Sequence, residues 1–122
     1  MKQPAIFLML LSVLTSCRSS KQVTINNQEQ IIKTMLFKWK DGLKAYEKEE
    51  AKAIFYMLVD KIDGFDSFKE YQIVSDRFEA VYVLEFSNKN AFEVYNNHPL
   101  HKELSQKGPE LISDYMEYIH YK

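Results

Sequence analysis

The sequence predicts an α+β fold: a four-stranded antiparallel sheet with helices on one face. Three observations predict it. Runs beginning at Ile31, Phe65, Phe78 and Tyr115 are rich in apolar and aromatic residues and read as strands. Between the first and second runs the apolar spacing changes to that of a helix, and between the third and fourth a capping residue and a proline mark helix starts. The first and third runs are apolar on both alternating sets at their centres, so a sheet built from them needs cover on both sides.

Taken in order, "IIKTMLFKW", Ile31 to Trp39, is the first strand. Ile32, Thr34 and Leu36 point one way; Lys33, Met35, Phe37 and Trp39 point the other. Asp41-Gly42 breaks it. From Lys44 to Ile62, the residues Ala51, Ile54, Phe55, Leu58 and Ile62 form one helical stripe, and Glu47, Lys48 and Glu49 form the solvated side. Asp63-Gly64 ends the helix. Phe65 to Val74 alternates less cleanly and reads as the second strand, followed by the short turn "SDR". Phe78 to Phe86 is the clearest strand, with Phe78, Ala80, Tyr82, Leu84 and Phe86 on one side and Val81 and Val83 on the other. Ser87 or Asn88 caps a helix from Lys89 to about Asn96. Pro99 opens a further helix to about Leu111, expected to be irregular near Gly108-Pro109. Tyr115 to Tyr121 closes as the fourth strand. The order β-α-β-β-α-(α)-β is the ferredoxin-like arrangement. Its helix-free face remains apolar, which predicts a homodimer with two sheets packed face to face.

The N-terminus reads differently. Lys2, the short apolar run Ala5 to Leu14 and the small residues before Cys17 have the form of a secretion signal; the run is shorter than the about 20 residues a spanning helix needs. Leu14-Thr15-Ser16-Cys17 resembles a bacterial lipobox, in which the cysteine thiol carries lipid and becomes the mature N-terminus. Residues 1–16 are therefore expected to be a lipoprotein signal peptide and 17–30 a polar tether, with the folded domain at 31–122. Arg18, where an inner-membrane retention signal would usually place Asp, directs the expectation to the outer membrane of a Gram-negative cell, facing the periplasm. A lone Cys excludes an intrachain disulfide and a cysteine nucleophile in the domain. Without Lys2, 15 of the 16 basic side chains remain against 17 acidic ones, a balance that gives no footprint for nucleic acid.

Candidate chemistry concentrates in "YNNHPLH", Tyr95 to His101. One reading is structural: Asn97 or His98 caps a helix, Pro99 starts it, and His101 bonds locally. The other needs Tyr95 and His101 in one cavity, with His101 as general base and Tyr95 orienting it or holding a carbonyl. The chain reversal at Asn96-Asn97 lets positions six apart converge, which a single helix would not. His98 and His101 with Glu103 make a poor metal set, since no third firm ligand is evident, and no nucleophile-elbow pattern occurs. No metal and no cofactor are expected.

"TMLFKWKDG", "FEAVYVLEFSNKNAFEVYNNHPLH" and "ISDYMEYIHY", in this order and spacing, resemble the stress-responsive dimeric α/β-barrel (Dabb) family across about Ile31 to Tyr121. The resemblance implies a dimeric barrel with a small cavity in each protomer between sheet and helices. Most members have no assigned reaction; a few, notably plant polyketide cyclases, use a Tyr and the second His of His-Pro-x-His, which match Tyr95 and His101. It further implies that Lys33, Met35, Phe37, Ala80, Tyr82 and Leu84 face the cavity, with Phe55 and His98 also at the ligand pocket. Many members carry His where this chain has Lys33, and often a polar residue where it has Ala80; with Tyr82 beneath, a smaller and more apolar cavity is expected. The expected function is a lipid-anchored dimer binding a small apolar or aromatic molecule, the alternative a small-molecule lyase or cyclase using Tyr95 and His101.

Overall fold

The computed structural model describes residues 29–122. Cys17, the signal segment and most of the tether lie outside the described residues. The elements run β1 (Ile31–Trp39), α1 (Ala45–Lys61), β2 (Phe65–Gln72), β3 (Ala80–Phe86), α2 (Lys89–Asn97), α3 (Pro99–Leu111) and β4 (Ile112–Tyr121). All neighbouring strands are antiparallel, in the order β2-β3-β1-β4. This is the ferredoxin-like α+β fold.

Strand alternation divides the sheet into two unlike faces. Ile31, Lys33, Met35 and Phe37 of β1 and Ala80, Tyr82, Leu84 and Phe86 of β3 are buried beneath the helices. Ala51, Phe55 and Leu58 of α1, with Ile62 just beyond it, fill the space above them, as the helical stripe predicts. The core is strongly aromatic. Tyr82 lies edge-on to Phe37, Phe55 and Phe68, and Phe65 stacks on Phe86 with ring centroids 4.4 Å apart. On the other face, Ile32, Leu36, Val81 and Val83 remain half-exposed, and among the described residues no helix lies over them.

Each junction has a local cause. Gly64, at φ +88°, makes the turn from α1 to β2. A Cβ there would stand 2.9 Å from that of Ala91, so glycine also permits the close approach of α2. The Asn88 side chain accepts a hydrogen bond from the Ala91 N–H at 2.8 Å and caps α2. The imperfect alternation of the second strand has a structural origin. The β2–β3 register shifts between Phe65 and Ser67, so Phe65 and Phe68, three apart, are both buried.

Several boundaries differ from the sequence expectation. β2 ends at Gln72 and β3 begins at Ala80, so the connection is longer than "SDR". Phe78 is nonetheless buried, and Glu79 N–H donates to the Phe37 carbonyl at 2.9 Å. Arg77 pins this loop to the far strand through two bonds to the Asp114 carboxylate, at 2.6 and 2.9 Å. The helix α3 ends at Leu111 as expected, running through Gly108-Pro109, but β4 follows directly from Ile112 rather than from Tyr115. Proline deletes one donor, to the Ser105 carbonyl, while Lys40 ties the end of the helix to β1. Its N–H donates to the Leu111 carbonyl at 2.8 Å and its Nζ to the Pro109 carbonyl at 3.2 Å.

Candidate functional site

A cavity of about 590 Å³ lies between the sheet and the helices α1 and α3. Its floor comes from alternate residues of β1 (Lys33, Met35, Phe37) together with Tyr82 of β3. The register places Glu117 of β4 opposite Met35 and Tyr115 opposite Phe37, on the same side of the sheet. Phe55 of α1 and Leu104 of α3 close it from the helix side. No residue of α3 is fully buried, because this helix packs against the cavity rather than against a filled core.

The wall is mainly apolar, with polar groups gathered at one corner. Tyr95 is wholly buried, and its ring centroid lies 4.2 Å from that of His101. The Tyr95 hydroxyl has no hydrogen-bond partner among the described residues. Burial pushes its pKa up, and the neighbouring Glu117 charge adds to this, so the group is a neutral phenol at physiological pH. The His101 Nδ1 stands 3.2 Å from the Asn96 carbonyl oxygen. A carbonyl only accepts, so that bond requires the proton on Nδ1 and leaves the Nε2 lone pair available. The Ser105 hydroxyl lies 3.5 Å from Nε2. Burial lowers the His101 pKa, and nearby Lys33 acts in the same direction, against the Asn96 carbonyl and Glu117. The ring is therefore neutral near pH 7, the form a general base needs.

Lys33 adds a charge to this corner. It is the one charged residue in the buried core among the described residues, and its Nζ is 3.2 Å from the Glu117 carboxylate. The same Nζ lies 5.4 Å from the centroid of the Tyr95 ring. Glu117 also accepts a hydrogen bond from the Tyr115 hydroxyl. Burial pushes the Glu117 carboxyl up, but Tyr115 and Lys33 together outweigh it and hold the pKa below the usual range.

The structure thus brings Lys33, Met35, Phe37, Phe55, Tyr82, Tyr95 and His101 to one cavity. Three expected lining residues are elsewhere. Leu84 is wholly buried one pleat further along β3, under the packed helices. Ala80, at the opposite end of that strand, borders a smaller charged recess with Lys48, Glu49 and Glu70. His98 caps α3, its Nδ1 accepting from the Leu100 N–H at 3.1 Å, with Pro99 in the first turn. The corner is therefore a helix junction through His98 and Pro99, and a cavity wall through Tyr95 and His101. Tyr82 forms part of the wall and leaves the space open. Sequence reasoning missed Tyr115, Glu117 and Ser105. Pairing the fourth strand with the first at the right register would have found the two on β4. Among the described residues, no three His, Cys, Asp or Glu side chains converge as a metal centre.

Fold and site together define a ferredoxin-like protein with a partly polar cavity between its sheet and its helices. Residues 31–118 match the stress-responsive A/B barrel domain, and the chain belongs to that family. No curated protein matches the sequence. Among solved structures, a Dabb family protein with a ferredoxin-like fold from Mesorhizobium loti is 20% identical, with a TM-score of 0.62 over 76% of this chain and 96% of that one. The hydroxynitrile lyase from Passiflora edulis is 13% identical, with a TM-score of 0.68 and coverage of 78% and 94%. A dimeric protein of unknown function from Bacteroides fragilis, also of ferredoxin-like fold, is 18% identical, with a TM-score of 0.56 and coverage of 76% and 96%. At these identities the likeness is one of fold.

Proposed function

We propose that the chain is a lipid-anchored homodimer that binds a small apolar or aromatic molecule in the sheet-helix cavity. The carrying observation is the cavity itself: about 590 Å³, walled by Met35, Phe37, Phe55 and Tyr82, with polar groups confined to one corner. Such a site orients an apolar body by a few polar contacts at one end. The uncovered apolar face of the sheet and the dimeric state of structural neighbours support the homodimer. The lipobox-like ending at Cys17 supports the anchor, and Arg18 after it supports the outer membrane facing the periplasm.

The Tyr95–His101 pair favours a second reading, a lyase or cyclase. The His101 Nε2 would accept a proton from a carbon acid or hydroxyl while the Tyr95 hydroxyl donates to the carbonyl oxygen. Both readings make the same stability prediction. An unpartnered buried hydroxyl contributes nothing to the fold, so Tyr95→Phe should leave the melting temperature unchanged or raise it slightly. His101→Ala should cost about 1 kcal/mol. Either variant should weaken binding of a neutral aromatic probe, such as 2-naphthamide, by about tenfold in titration calorimetry, more than its stability change accounts for. Unchanged affinity in both would remove the pair from the site.

For the anchor, Cys17→Ser should remain uncleaved or become soluble. Fractionation with membranes after normal processing would refute the lipobox.

A further inference from the structure

We propose that the Lys33 ammonium is the docking point for a carboxylate, so that the cavity takes an apolar or aromatic molecule bearing one anionic end. The inference rests on the cavity being a binding site and adds the chemistry of its ligand.

The first observation is where the charge sits. A lysine is almost never buried without a partner, and Lys33 is only 6% exposed, on a strand face otherwise made of Ile31, Met35 and Phe37. It lines the cavity together with Tyr95 and His101. A structural lysine at this position would be costly, since an apolar residue would fill the same pleat at no desolvation penalty.

The second observation is the count of donors. An ammonium has three N–H groups, and among the described residues the one anionic partner of Lys33 is Glu117, at 3.2 Å. No other acceptor reaches its Nζ among the described residues, which leaves two donors for a ligand in the cavity that Lys33 lines. The Tyr95 side chain lines the same cavity, and its buried hydroxyl has no partner among the described residues.

The third is the asymmetry of the pair. The Glu117 side chain is 39% exposed, against 8% for Lys33. Its carboxylate is already engaged by Lys33 and by the Tyr115 hydroxyl, so it offers little to a cationic ligand. Solvent screens Glu117 more than it screens Lys33, and the field inside the cavity is then set by the buried cation. A carboxylate entering with its apolar body against Phe37 and Phe55 meets Lys33 at the polar corner. There it competes with Glu117, which can turn to water.

That competition gives the test. The full chain is titrated by calorimetry at neutral pH and low salt with two probes of nearly one shape, 2-naphthoate and the neutral 2-naphthamide. The parent should bind the carboxylate about tenfold more tightly. Lys33→Gln should abolish the preference and Lys33→Arg should restore much of it. Glu117→Gln should tighten naphthoate several-fold and leave naphthamide unchanged, a result that a purely structural ion pair would not produce. If naphthamide binds the parent as well as naphthoate does, or if Lys33→Gln keeps the preference, the Lys33 assignment falls and the cavity reading stands. If neither probe binds, both fall.

Discussion

A Val81→Asp chain should sediment as a monomer where the parent sediments as a dimer. Val81 lies on the helix-free face of the sheet, with Leu36 opposite it on β1 and Tyr71 opposite it on β2. Within one protomer it is half-exposed, so a carboxylate there can remain hydrated and the fold can tolerate it. In a face-to-face dimer the same position is central. The new charge would be withdrawn from water twice, once from each protomer, with no cation directly opposite it on either neighbouring strand. An unpaired buried charge costs several kcal/mol, enough to overturn a standard interface of about 800 Å² per partner. Val83→Asp should act more weakly, because Lys69 stands opposite Val83 on β2 and can pair with the new charge. The comparison therefore carries its own control. A parent domain that sediments as a monomer would end the dimer proposal, and so would a Val81→Asp dimer of undiminished affinity.

The second large effect lies in the core. Phe86→Ala should cost about 3–5 kcal/mol, out of the roughly 5–15 kcal/mol that keeps a small domain folded. Phe86 is fully buried, stacks on Phe65, and has the rings of Tyr95 and Phe92 at 5.1 and 5.2 Å. These neighbours come from β2 and α2, so the void cannot collapse without moving both. The melting temperature should fall by roughly 15–30 °C. Val94→Ala, at an exposed position of α2, is the control and should shift it by only a degree or two. A loss near 1 kcal/mol for Phe86→Ala would mean that this aromatic layer repacks freely. The layer also shapes the cavity, because Phe65 and Phe86 both pack against Tyr95 and hold its ring at the cavity corner.

Most of the fold was legible in the residues. β1 and α1 are where the apolar spacing puts them, because each is a long element whose buried set has one clear period. The boundaries that moved lie where tertiary contacts override local chemistry. β4 starts at Ile112 rather than Tyr115, because α3 runs unbroken through Gly108-Pro109 and Lys40, just past β1, secures its end. The second strand alternates poorly because a register shift puts Phe65 and Phe68 on the same face, and a shift belongs to a pair of strands rather than to one.

The site was legible only in part, for the same reason. Tyr95 and His101 stood out by residue type, and Lys33 by its place in an apolar set. The sequence alone determined the order of elements, the two-sided apolar character of β1 and β3, and the helix-capping role open to His98. It also determined that Lys33 shares a strand face with Met35 and Phe37, since alternation along an extended chain is a local property. Tertiary structure alone decided that Glu117, bonded by Tyr115, meets Lys33, because that depends on the register between the first and last strands. It likewise decided that Leu84 and Ala80 leave the cavity at either end, since alternation says which face a residue is on and not how far along it the helices close. The tautomer of His101 follows from a carbonyl five residues back, brought within 3.2 Å only by the reversal between α2 and α3.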